Sequence, residues 1–257
     1  MSRLPAIFVS HGSPMLALDA GETGNFWREL GESLPRPKAV LCVSAHWMTN
    51  IPAASHAERP ETIHDFYGFP EPMYEIEYPA PGAPKLAERA VELVQKAGLP
   101  AALDPERGLD HGAWVPLRSI YPAADVPITQ LAVQPRRDAR WHFGLGAALA
   151  PLRDEGVLVL ASGGATHNLR ETDRRGGPTP EWARAFDDWL AAAIAGGDAE
   201  AVLDWQQAAP NAARAHSSDE HFLPVFVAMG AGGGAGERIH AGFTNASLSM
   251  AAFRFGA

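Results

Sequence analysis

Short apolar runs alternate along the chain with longer stretches of helical periodicity. Residues 6–9, 39–43, 128–133 and 157–161 are mainly apolar runs too short for helices, and they predict buried strands. Between them the spacing predicts helices over 25–34, 84–97, 141–152 and 180–195. The helix at 84–97 is the clearest: Leu86, Ala90, Val91 and Val94 form one stripe, Pro84 suits its first turn and Gly98 its stop. Trp182, Phe186, Trp189 and Leu190 recur at helical spacing and read as core. Asp219 is placed to cap a helix running through His221 to Met229, and residues 247–253 could return a final strand. Strands alternating with helices predict an α/β fold: one domain over 1–257, with a central, mostly parallel mixed sheet flanked by helices on both faces. Two irregular segments stand out. Residues 59–73 are aromatic and long enough to cover a site, whereas the glycine-rich 230–236 lacks a preceding strand and reads as a flexible loop.

Composition narrows the function. The 257 residues are 46% hydrophobic and carry a formal net charge of −9, which disfavours nucleic acid or an anionic membrane as a partner. No apolar run approaches the roughly twenty residues of a membrane span, and the N-terminus has no signal-peptide pattern, so a cytoplasmic protein is expected. The single cysteine, Cys42, excludes an intramolecular disulfide and sits in an apolar run as a buried, inert thiol.

The ten histidines carry the chemistry. His11, His46 and His167 each fall just after a predicted strand, beside small residues. In a parallel sheet such positions share the carboxyl edge, where ligands bind, and converging imidazoles suit a divalent metal. His111 lies in a polar turn, and His221 follows Asp219 and Glu220 near a helix start; Glu220 is the nearby acid if two histidines and a carboxylate form the site. His64, in the aromatic loop, is a candidate substrate contact. His56, His142, His216 and His240 have no convergent neighbours and receive no role. Ser10, Ser44 and Ser162 end strands, but no Gly-x-Ser-x-Gly elbow, phosphate loop or His-Glu-x-x-His helix is present, so they read as turn and cap residues.

Longer strings make these residues specific. His-Gly-Ser-Pro-Met at 11–15, Ser-Ala-His-Trp at 44–47, Thr-Ile-His-Asp-Phe-Tyr-Gly-Phe-Pro at 62–70 and Tyr-Pro-Ala-Pro-Gly at 78–82 resemble the DODA-type, LigB-like class III extradiol ring-opening dioxygenases. Leu-Asp-His-Gly-Ala-Trp at 109–114, Glu-His-Phe-Leu-Pro at 220–224 and Ser-Leu-Ser-Met at 247–250 extend the resemblance, in order, through nearly the whole chain. It implies a metal at the carboxyl edge of the sheet, with His11, His46 and His221 as ligands. It further implies His167 as a fourth ligand or a base, and His111 as an acid/base residue. Better-known class III enzymes place a glutamate at the third ligand position, where this chain has His221; an all-imidazole set suits Zn²⁺ as well as Fe²⁺.

The implied reaction is extradiol cleavage of a catechol-type, dihydroxyphenylalanine-like aromatic by O₂ to a ring-opened semialdehyde. Fe²⁺ with three protein ligands leaves positions open for catechol and O₂, and His167 is the imidazole expected to accept a phenolic proton near neutral pH, with His111 or the protonated His167 supplying one for O–O cleavage. A zinc hydrolase using the same histidines to activate water, and a non-catalytic binder of a metal or a small aromatic, are the alternatives.

Overall fold

Residues 3–256 are described by the structure, a computed structural model. Its strands are β1 (Ala6–Ser10), β2 (Ala39–Met48), β3 (Ala53–Ser55), β4 (Ala102–Asp104), β5 (Ile128–Val133), β6 (Val157–Gly163), β7 (Gly236–His240), β8 (Phe243–Thr244), β9 (Leu248–Ser249) and β10 (Ala252–Phe255). Eight of them form one sheet in the order β4-β3-β5-β2-β6-β1-β10-β7, while β8 and β9 pair separately. The four inner strands β5, β2, β6 and β1 are mutually parallel; β10 joins β1 antiparallel, and β3 joins β5 antiparallel. The α/β fold with a mostly parallel mixed sheet is therefore present.

The helices are α1 (Gly21–Ser33), α2 (Pro84–Lys96), α3 (His111–Ile120), α4 (Ala139–Leu149), α5 (Pro151–Asp154), α6 (Glu181–Ala195), the short α7–α9 (Ala199–Leu203, Trp205–Ala208, Ala212–Ala215) and α10 (Leu223–Gly232). Strand alternation sends side chains to two cores. Phe8, Leu41, Val43 and Val159 pack on α2, α4, α6 and α10, whereas Ile7, Val40, Cys42 and Leu160 face α1 and α3. Cys42 is fully buried, and burial pushes its thiol pKa up, as an inert core thiol requires. Trp182, Phe186 and Leu190 are likewise core.

Several boundaries differ from expectation. The helix at 141–152 is two helices: Asp138 caps α4 by accepting from the Trp141 N–H at 2.8 Å, and Pro151, which has no N–H to donate, starts α5. Residues 230–232 are not loop but the last turn of α10. Glycine is needed there because α10 lies against α4; a Cβ on Gly230 would fall 2.0 Å from the Phe143 carbonyl oxygen. The glycine-rich segment thus closes a helix contact and leads into β7, an edge strand that polar Gly-Glu-Arg-Ile-His did not advertise. The expected final strand over 247–253 divides into β9 and β10. The short β3 and β4, rich in alanine, also lacked a strand signal. Among the described residues, no helix is long and apolar enough to cross a membrane.

Asp219 does not cap α10 with its side chain. Its backbone carbonyl accepts from the Phe222 and Leu223 N–H groups at 2.8 and 3.1 Å, and its carboxylate accepts from Gln206 at 3.1 Å. With Pro224 in the first turn, α10 starts at Leu223, so His221 lies in the turn before the helix.

Candidate metal centre

The carboxyl ends of β1, β2 and β6 present the site. His11 directly follows β1, and its backbone N–H still bonds the Gly163 carbonyl of β6 at 3.0 Å. His46 lies within β2, which runs farther than the apolar run suggested. Between Ser44 and Met48 the register against β5 advances only from Ala132 to Val133, so the strand bulges and re-aims the His46 ring. His221 arrives from the turn before α10, anchored by its carbonyl, which accepts from the Gly164 N–H at 2.8 Å. Gly163 permits this approach: a Cβ there would lie 2.1 Å from the His221 carbonyl oxygen.

These three rings meet through their Nε2 atoms. His46 Nε2 stands 3.1 Å from His11 Nε2 and 3.1 Å from His221 Nε2. Each Nδ1 is turned outward to an oxygen: His11 to Ser162 Oγ at 3.0 Å, His221 to Glu220 Oε1 at 3.1 Å, and His46 to Asp65 Oδ2 at 3.4 Å. Ser162 donates its own proton to the Gly112 carbonyl, so it must accept from His11. Protons on the three Nδ1 atoms leave three Nε2 lone pairs facing one another, an arrangement that a cation between them satisfies. Ligands about 2.0–2.1 Å from a shared ion are themselves spaced by about 3.0–3.4 Å, which the observed distances match. Burial, with repulsion from the neighbouring histidines, holds the His11 and His46 pKa values well below the ordinary range. Burial lowers His221 too, against the opposing pull of Glu220, so all three rings are neutral near pH 7. The residues fit a divalent metal, and His11, His46 and His221 form a group that could hold one.

His167, expected just after a strand, lies in the loop beyond β6, stacked on His221 with ring centroids 3.4 Å apart and planes within 5°. It groups with Glu220 and His221 and not with His11 and His46. Burial and the adjacent His221 push its pKa down to about 2. Glu220 is driven down to about 2 by the hydrogen bond from His221, so it is an anionic support for that ring.

His111 occupies the first turn of α3, not a free polar turn, and its ring centroid is 3.9 Å from that of His46. Asp110 caps the helix and is wholly buried, receiving Ser44 Oγ at 2.6 Å, Arg107 at 2.7 Å and the Gln130 amide. Asp65, given no role by the sequence reading, reaches in from the aromatic loop and binds both His111 and His46. Its signal was position alone: an acid between His64 and Phe66 in the segment expected to cover a site. Ser162, read as a turn residue, is likewise part of the site, whereas Ser10 spans Ala251 O and the Ala165 N–H as a structural tie.

His64 does not line the cavity. Its Nε2 donates to the Ile76 carbonyl at 3.0 Å, and its ring packs near Phe66 and Trp114, fixing the loop. His56 pairs with Glu88, His142 accepts from the Gln134 N–H, His216 donates to the Ala165 carbonyl, and His240 stacks on Phe26. None joins a metal-holding group.

The histidines open into a cavity of about 330 Å³ whose apolar wall includes Phe66, Phe69 and Leu248. A small aromatic ring fits its character.

Known proteins resemble this chain along most of its length. The 4,5-DOPA dioxygenase extradiol of Beta vulgaris is 44% identical over 255 residues, covering 96% of this chain and 95% of that protein. The Escherichia coli K12 protein of the same name is 41% identical over 243 residues, covering 90% and 86%. A crystal structure of an uncharacterized Escherichia coli K12 protein superposes with a TM-score of 0.82 at 36% identity, covering 99% of this chain and 100% of that one. The family model described as the catalytic LigB subunit of aromatic ring-opening dioxygenase matches residues 5–256, sheet and histidines together, and on that match the chain belongs to the LigB family.

Proposed function

We propose that the chain acts as one domain that cleaves a catechol-type aromatic, dihydroxyphenylalanine or a relative of it, in the extradiol manner with O₂, giving a ring-opened semialdehyde. The observation that carries this reading is the convergence of three neutral Nε2 atoms at the floor of an aromatic cavity, with two further imidazoles beside them. His11, His46 and His221 are the proposed metal ligands. Fe²⁺ held there would supply the redox chemistry that couples a catechol to O₂, which Zn²⁺ lacks.

The protein's own residues bind, orient and move protons. Phe66, Phe69 and Leu248 bury the ring and keep water from it. His111 is the proposed base: with Nδ1–H held by Asp65, its Nε2 is free to accept a phenolic proton, and the carboxylate stabilises the resulting imidazolium. The same ring then returns the proton later in the cycle. His167, held neutral, is proposed as a hydrogen-bonding partner of substrate or as a fourth ligand; the carboxylate beside it, Glu220, is already hydrogen-bonded by His221.

Apo-protein reconstituted anaerobically with Fe²⁺ and given O₂ and a catechol tests the reading. About one O₂ per catechol should be consumed and a yellow, pH-sensitive semialdehyde formed, while the Zn²⁺ form should do neither. Catechol binding to the iron form without O₂ uptake across a broad panel leaves the binding protein in its place, and ester or amide hydrolysis by the zinc form leaves the hydrolase.

A further inference from the structure

The cavity is asymmetric in charge. Arg174 lines it in the loop between Asn168 and α6, with its guanidinium over the Phe69 ring at 5.9 Å from the centroid. No aspartate or glutamate lines the cavity among the described residues. Nearby carboxylates are already engaged: Asp65 by His46 and His111, Glu220 by His221 and Ser218, Glu171 by Arg214, and Asp173 by Arg175. Arg174 itself takes part in none of the ion pairs of the described residues, although Arg175 beside it does. Apart from the histidines, the other polar side chains of the lining, Ser13, Tyr67, Thr172 and Asn245, are neutral.

A ring seated against Phe66 and Phe69 therefore meets one uncompensated cation and no anion beyond the histidines. A guanidinium is a planar, permanently charged fork that matches a carboxylate in two-point geometry, and the Phe69 face holds it in place from below. An ammonium on the same substituent finds no carboxylate in this wall, only neutral acceptors, and meets the repulsion of Arg174.

We propose that Arg174 determines specificity by binding a carboxylate on the catechol's side chain, so that catechols carrying a side-chain carboxylate are preferred over neutral catechols and over catechol amines that lack one. The assignment rests on the ring-cleavage reading of the cavity. It places the charge that selects the substrate on a loop outside the histidine cluster, where it acts on binding and leaves the reacting atoms to the histidines.

The test uses the full chain loaded with Fe²⁺ under anaerobic conditions and titrated, by tryptophan fluorescence, with four ligands that share one ring. These are ethylcatechol, dihydroxyphenylpropanoate, dihydroxyphenylalanine and dihydroxyphenylethylamine; KM and kcat for each follow from O₂ uptake. The propanoate should bind about tenfold more tightly than ethylcatechol, the size expected of a charge-assisted pair near solvent, and the amine most weakly. In Arg174→Gln the ratio of propanoate to ethylcatechol affinity should fall to near one, and Arg174→Glu should invert the order of acid and amine. Arg175→Gln, which removes an equal charge one residue away, should keep the wild-type ratio. Equal affinities for the four ligands in the wild type, or an undiminished ratio in Arg174→Gln, overturn the assignment while turnover of ethylcatechol preserves ring cleavage. Failure of all four to bind or react overturns both.

Discussion

Asp65 Oδ1 accepts two hydrogen bonds from His111, one from the backbone N–H at 2.9 Å and one from Nδ1 at 3.0 Å, while its Oδ2 faces His46 Nδ1 at 3.4 Å. One carboxylate from the aromatic loop thus sets the tautomer of the proposed base and buttresses a proposed ligand. Burial opposes its charge, but the hydrogen bonds from His111 outweigh burial and leave its pKa below the usual carboxylate value. Asp65→Asn keeps the size and an acceptor but removes the charge that stabilises a protonated His111. Its kcat should fall by about 10²-fold, within the range of general acid–base effects, with catechol affinity changed little. Unchanged kcat in stopped-flow turnover would show that Asp65 only ties the loop down.

The ligand and proton-transfer roles separate by metal content. Alanine at His11, His46 or His221 should sharply reduce bound metal with far-UV circular dichroism near wild type. His111→Ala should keep metal and catechol binding and lose about 10²–10⁴-fold in turnover. His167→Ala should lose turnover, and loses metal too if His167 is a fourth ligand. Full metal retention by two of the three ligand variants, measured by atomic absorption, refutes that ligand set.

Ser162 links two elements, accepting from His11 Nδ1 and donating to the first-turn carbonyl of Gly112 in α3. Removing the hydroxyl frees the His11 ring to rotate and to change tautomer. Ser162→Ala should weaken metal binding by about 10–100-fold in a chelator competition, the usual effect of losing a ligand's outer partner. Affinity equal to wild type means that packing alone orients His11.

Away from the site, His142 is buried; Gln134 N–H donates to its Nε2 at 3.2 Å, and its Nδ1 donates to the Asp138 carbonyl at 2.8 Å. Burial lowers its pKa from 6.5 to about 4. The unfolded chain binds this proton below pH 6.5 and the folded chain resists it until about pH 4, so stability falls as pH drops through that window. The full loss is about 3 kcal/mol in order of magnitude. His142→Gln has no proton to gain and should show a shallower decline in urea midpoint between pH 6.5 and 4 than wild type. Parallel declines in the two proteins rule out His142 as a source of acid sensitivity.

Local pattern alone determined much of this protein. The four inner strands are apolar runs because both faces of a parallel sheet are covered, and α2 announced itself through its stripe, Pro84 and Gly98. Motif strings were specific enough to single out His11, His46, His111 and His221, because each sits in a run of several residues that together resemble the family, while His167 was legible from its place just after a predicted strand. What pattern could not supply was direction and partnership. His46 points inward through a bulge that exists only when β2 pairs with β5, and His221 reaches the site because α10 starts two residues later, over a glycine on β6. Asp65 is one loop acid among many until the fold carries it to two histidines that flank it far off in sequence, and Ser162 is a strand-end serine until α3 brings it the Gly112 carbonyl. Periodicity reports which face of an element is buried, a local property of the chain; the tautomer and aim of a ligand depend on contacts between residues far apart in sequence, and only tertiary packing decides those.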